Sequence, residues 1–275
     1  THDRQDHTFC GIMFALKCND FLPINSIVIH SLAVRGRLGP ITVWVCNRSS
    51  DAQSYDGSLL NTPAEEWTKI HERTYRPSWR AYQALDFQDT PVTLEPGQVK
   101  AFYIHSSLRS DESIVYDNER GIFSHQDKGE ILQILPGRAH LSDIPFGNIN
   151  LWGWQGAWRL HREFVGRISF GAVYKLWNPQ EHKKFGSKFQ NLALLLFACQ
   201  RRAESPFSMV PDEVIFYILN MCRWDWVNDC ASSMLKSRGL FKKQRGVMAK
   251  LQIPCLADRE TWHQRDLCVI DSSGG

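Results

Sequence analysis

Histidine, cysteine and serine are the residues through which this chain could ligate a metal, move protons or attack a carbonyl, so their spacing comes first. Its ten histidines contain no His-x-His and no His-Glu-x-x-His arrangement, the spacings that put two imidazoles on one ion. The eight cysteines, at 10, 18, 46, 199, 222, 230, 255 and 268, include no Cys-x-x-Cys pair, which argues against a zinc finger or a thioredoxin-type site. No Gly-x-Ser-x-Gly elbow offers a serine nucleophile. The expectation is therefore a non-enzymatic protein with no catalytic, cofactor-binding or metal-ligating residue. Cys46 and Cys199 lie inside apolar runs, where a thiol behaves as a small buried hydrophobe. Reduced thiols suggest an intracellular address, cytoplasmic or nuclear. The start at Thr1 without Met leaves a removed targeting peptide, and so an organelle, open.

Composition narrows the partners. With 32 basic and 29 acidic residues the net charge is +3, too balanced to argue for nucleic acid, and basic residues gather only from Lys236 to Lys250. No apolar run approaches the length of a membrane span. At 275 residues and 43% hydrophobic, the chain can bury a full core.

Short β-branched and aromatic runs fill residues 9–177. They include 9–16, 24–34 and 41–45, with Arg35 to Pro40 as a hairpin turn between the last two. An edge strand falls near Trp67 to Tyr75, and Glu95-Pro96-Gly97-Gln98 reads as a type II turn before an alternating strand at 99–105. Further strands lie near 84–87, 92–94, 114–116, 130–135 and 164–174. This pattern predicts a mainly β chain: an antiparallel sandwich, jelly-roll-like, over 1–179, a helical segment over 180–250 and a tail over 251–275.

In the helical segment Phe185, Phe189, Leu192, Leu195, Leu196 and Cys199 recur at helical spacing and predict one apolar face. Pro206 ends that helix, and Pro211, Asp212 and Glu213 suit the start of another. Val214 to Leu219 is apolar all round, so this helix is either buried on several sides or borrowed by a partner.

The string Val210 to Leu219 resembles the opening of an F-box and the second half of a SOCS box. The latter likeness extends upstream, where Leu195, Cys199 and Ala203 are similar to an elongin-contacting helix, although Leu194 stands where that pattern has Ser, Thr or Pro. The resemblance implies docking to a cullin adaptor, elongin or Skp-type, through Leu195, Cys199, Val210, Pro211, Val214, Ile215, Ile218 and Leu219. The preceding strands resemble the β-sandwich of PHR-type modules in pattern, around Thr93 to Gly97. Together these likenesses imply a substrate receptor of a cullin-RING ubiquitin ligase, with a protein substrate as its other partner. The alternative is an accessory subunit of a larger assembly, whose helices are core or subunit contact.

Val165 to Lys175 also resembles the glycine-rich loop of protein kinases, with Ile168 at the middle glycine. Trp177-Asn178-Pro179 ends that strand where a kinase needs another, and Gln264 to Leu267 has no Asp-Phe-Gly after it. Gly166 and Gly171 are then packing relief or a bulge in a central strand. Trp152, Trp154 and Trp158, spaced by glycines on a loop, are candidates for a recognition surface or for a plug in one end of the sandwich.

Overall fold

The computed structural model describes residues 7–20, 23–87, 89–118, 131–149, 153 and 156–222. Trp152, Trp154, the Lys236–Lys250 stretch, the Gln264–Leu267 string and the tail from 251 lie outside the described residues. Two compact units emerge, with described residues 7–19 and 25–173 in the first and 20, 23, 24 and 174–222 in the second.

The first unit is built from antiparallel sheets. Its strands in chain order are β1 (His7–Phe9), β2 (Gly11–Cys18), β3 (Ile24–Gly36), β4 (Gly39–Cys46), β5 (Ser50–Asp51), β6 (Trp67–Tyr75), β7 (Ser78–Asp86), β8 (Val92–Leu94), β9 (Gln98–Ser106), β10 (Ile114–Asn118), β11 (Leu132–His140), β12 (Trp158–Phe164) and β13 (Arg167–Tyr174). One sheet runs β1-β10-β12-β11-β2-β9-β4-β6, with β5 also on β9, and the other runs β13-β3-β7, with β8 also on β3. Before residue 150 the described helical structure is confined to short 3-10 turns at Ser58–Asn61 and Ala64–Glu66.

Position in the sheet follows from side-chain chemistry. Strand β2 reads Gly-Ile-Met-Phe-Ala-Leu-Lys-Cys, almost without polar residues, and nearly every position is buried, so both faces of the sheet are covered there. Phe14 on one face stacks on Phe164 at 4.2 Å, while Met13 and Ala15 on the other pack with Tyr103, Trp67 and Leu59. Strand β6 holds Lys69, Glu72 and Arg73 and lies at the sheet's edge, where charges discourage pairing with other chains.

The turn at 95–98 forms as its residues require: Gly97 has φ 78° and Gln98 N–H donates to the Glu95 carbonyl at 3.0 Å. Residues 35–40 do something else. Strands β3 and β4 belong to different sheets, so this stretch is a corner rather than a hairpin turn. Leu38 there adopts φ 58° with its side chain wholly buried, and the loop at 107–113 receives the backbone: Arg37 and Leu38 N–H donate to the carbonyls of Glu112 and Ser113. A buried leucine and two bonds to a neighbouring loop outweigh local turn propensity.

Gly166 is packing relief, since a Cβ there would lie 2.1 Å from the Ala33 carbonyl oxygen and 2.3 Å from the Phe164 ring. It precedes β13, an end strand of its sheet rather than a central one. Its backbone is thus pressed against protein.

The second unit holds α1 (Ser187–Gln200) and α2 (Asp212–Met221) around a small core of Trp177, Phe185, Phe189, Ala193, Phe197, Ile215 and Leu219. The inward stripe of α1 is Phe189, Ala193 and Phe197, a turn apart from one another, and Leu195 points outward at 59% exposure. That corrects the expected face: of the spaced residues, Phe185 and Phe189 are buried, and Leu192, Leu196 and Cys199 are half-buried. Among the described residues no helix is long and apolar enough to cross a membrane.

Candidate functional site

The helical unit is assembled by polar clamps on an aromatic core. Trp177 N–H donates to Asn220 Oδ1 at 2.6 Å, and Asn220 Nδ2 returns a bond to the Trp177 carbonyl at 3.0 Å. The Asn220 amide thereby acts as a backbone surrogate, satisfying both main-chain groups of a buried residue. Trp177 Nε1–H donates to His182 Nδ1 at 3.1 Å, which keeps that nitrogen unprotonated, and burial lowers the His182 pKa. Gln200 Nε2, at the end of α1, bridges the Val210 carbonyl and the Asp212 carboxylate at 2.7 Å each, tying the two helices together.

These clamps fix the rotation of α2. Ile215 and Leu219, four apart, are completely buried. The opposite face carries Val214, Tyr217 and Met221, at 43%, 64% and 61% exposure, with Ile218 half-buried beside them. The spacing of 214, 217, 218 and 221 is that of a single helical stripe. Met209, just before α2, is 89% exposed. A helix that looks uniformly apolar in sequence therefore has two apolar faces, one spent on its own core and one uncovered among the described residues.

The residues singled out for docking thus divide. Leu195, Pro211 and Val214 are exposed, Cys199, Val210 and Ile218 are half-buried, and Ile215 and Leu219 belong to the core. The structure brings Val210, Ile215 and Leu219 into one cluster, facing away from the stripe. Tyr217 and Met221, its most exposed members on α2, were not expected; their spacing of three and seven from Val214 was the available signal.

The first unit gathers a few of its titratable side chains, Tyr103, His105, Arg138 and His140, into a network on the sheet. His140 Nε2 contacts the Gly147 carbonyl at 2.8 Å, so it carries the proton and donates; Nδ1 is then an acceptor for the Tyr103 hydroxyl at 2.6 Å. His105 Nε2–H likewise donates to the Ser142 carbonyl at 2.9 Å, and its buried Nδ1 has no partner among the described residues. Burial lowers both imidazoles, His105 to about 4 and His140 to about 3, so both are neutral at pH 7. The same burial pushes the Tyr103 hydroxyl well above its ordinary range.

Trp158 joins this network. It opens strand β12 instead of lying on a loop, stacks on His140 at 4.0 Å, and has the Arg138 guanidinium 4.1 Å from its ring centroid. Arg138 also donates from Nη1 to Asn61 Oδ1 at 3.0 Å and from Nη2 to the Leu60 carbonyl. Two histidines, a tyrosine, a tryptophan and an arginine thus anchor the 58–61 turn and the 141–147 loop to the sheet. Most of their hydrogen bonds are spent on the fold, and Trp158 is half-buried beside them. None of this was visible in sequence, because each pairing joins residues from separate strands.

Among the described residues, no group of three or more His, Cys, Asp or Glu side chains is placed to hold a metal ion. Comparison of the chain with known protein families, with curated proteins and with solved structures found no match.

Proposed function

We propose that this chain is a non-enzymatic interaction module whose helical unit docks a protein partner through the outer stripe of α2, with the two sheets forming a jelly-roll-like sandwich that serves as scaffold. The single observation carrying this reading is the stripe itself: Val214, Tyr217 and Met221 stand in solvent although the same helix has a complete core on its other side. Exposed large apolar side chains in register on one helix are the pattern of a helix-in-groove contact. The resemblance of Val210 to Leu219 to SOCS-box and F-box segments supports a cullin adaptor, elongin or Skp-type, as the partner, and hence a substrate-receptor role. The alternative occupant is a neighbouring subunit of a larger assembly.

Capture by immobilised elongin or Skp-type adaptor tests this. The parent chain should be retained, and Tyr217→Asp should lose retention by at least about tenfold, the effect of removing one aromatic anchor. Absence of retention by the parent chain would reject the adaptor role. Equal retention of the variant would reject the stripe as the contact.

A further inference from the structure

We propose that the corner where β3 passes into β4, beside the turn where β6 passes into β7, is a docking surface for an acidic peptide segment of a protein partner. The near-neutral balance of the whole chain conceals a local excess of positive charge there. Gly36 lies opposite Ser78 and Gly39 opposite Tyr75, which sets the two turns side by side. Arg35 and Arg37 flank the first of these glycines, while Arg73, Arg76 and Arg80 come from the second turn and its strands. All but Arg35 are exposed. Arg37 meets Glu112 at 3.4 Å, an exposed pair, and Arg73 lies over the Tyr75 ring at 5.7 Å. Arg76 and Arg80 make no hydrogen bond or ion pair with any described residue.

The chemistry of the surface selects its partner. Every cation in it is arginine, whose planar fork grips a carboxylate through two bonds at once, where lysine offers a point charge. Trp79, at 42% exposure, lies between Arg76 and Arg80 in the sequence, and Arg35 Nη1 donates to its carbonyl at 3.2 Å. Tryptophan and arginine together are the composition of protein-interface hot spots. A nucleic-acid surface would call for a longer basic stripe than one corner of a chain with 32 basic and 29 acidic residues. The backbone beneath is rigid: a Cβ on Gly36, at φ 138°, would sit 2.4 Å from the Ser113 carbonyl oxygen, and Leu38 is buried under it. A surface already held in place loses little entropy on binding. The assignment stands whether or not α2 takes an adaptor.

The test is fluorescence anisotropy of a fluorescein-labelled octaglutamate peptide with the full chain. Binding should saturate, weaken several-fold between about 50 and about 200 mM salt, and fall at least about tenfold in Arg76→Glu/Arg80→Glu. Arg76→Gln/Arg80→Gln should lose less, and it keeps the test valid if the reversed pair fails to fold. Lys183→Glu/Lys188→Glu makes the same charge change elsewhere and should alter affinity by less than about twofold. No saturable binding, an equal loss in the lysine pair, or no loss in either arginine pair would overturn the proposal. So would tighter binding of oligothymidylate than of octaglutamate through Arg76 and Arg80, which would make the surface a nucleic-acid site.

Discussion

The sheet unit and the helical unit treat their ambiguous residues in opposite ways. In the sheets, polar groups that could do chemistry are buried and turned inward: His105 and His140 are wholly buried and donate to the Ser142 and Gly147 carbonyls. In the helices, apolar groups that could have been core are turned outward, Tyr217 and Met221 among them. Residue type alone therefore misleads in both units. A histidine costs little in a core when both ring nitrogens are matched, as at His140, and an exposed apolar stripe is the pattern of a surface that a partner covers. The difference gives the sheets a core with buried polar pairs and leaves the helical unit an apolar stripe in solvent, the stripe on which the proposed docking rests.

The largest effect expected from this contrast concerns the helical core. Trp177→Ala removes the ring packed on Phe197 and Phe216 and leaves a cavity among aromatic neighbours. It should cost about 3–5 kcal/mol in equilibrium unfolding and abolish adaptor capture with it. A loss under about 1 kcal/mol would show that the helical unit is not organised around Trp177.

Acid should separate the two units next. The histidines of the sheet have folded pKa values of about 4 and 3, below the unfolded value near 6.5, so the unfolded state binds more protons between those limits. Stability is fully present above pH 6.5 and falls as pH drops toward 4, with a slope of up to about 1.4 kcal/mol per pH unit for each histidine. The helical unit has one lowered histidine, half-buried His182, so its loss should be smaller. Urea titrations from pH 7 to pH 4.5, followed by amide exchange in each unit, check this. A sheet unit no less stable at pH 5 than at pH 7 would contradict the buried neutral pair.

What the sequence disclosed follows the range over which each feature is determined. Strand β6, from Trp67 to Tyr75, and the turn at 95–98 were legible, because alternation, charge and a Pro-Gly pair are local signals. The corner at 35–40 was not, since its partner is the loop at 107–113. Trp158 was read as part of a glycine-spaced loop, whereas pairing with His140 makes it the first residue of a strand. The two helices were legible as helices, yet the rotation of α2 was not. Its residues are apolar on every side, and the decision comes from Asn220 bonding to Trp177 across 43 positions. The exposed stripe could only be identified once that rotation was fixed.

The central claim is that α2 has one face for its own core and one for a partner. Equilibrium denaturation of Ile215→Asp and Tyr217→Asp, made singly in the full chain, tests it most directly. Ile215 is completely buried, so its replacement places an unpaired charge in the core and should cost on the order of 4 kcal/mol. Tyr217, at 64% exposure, should change stability by no more than about 0.5 kcal/mol. Similar losses from the two substitutions, or a larger one at Tyr217, would contradict a two-faced helix.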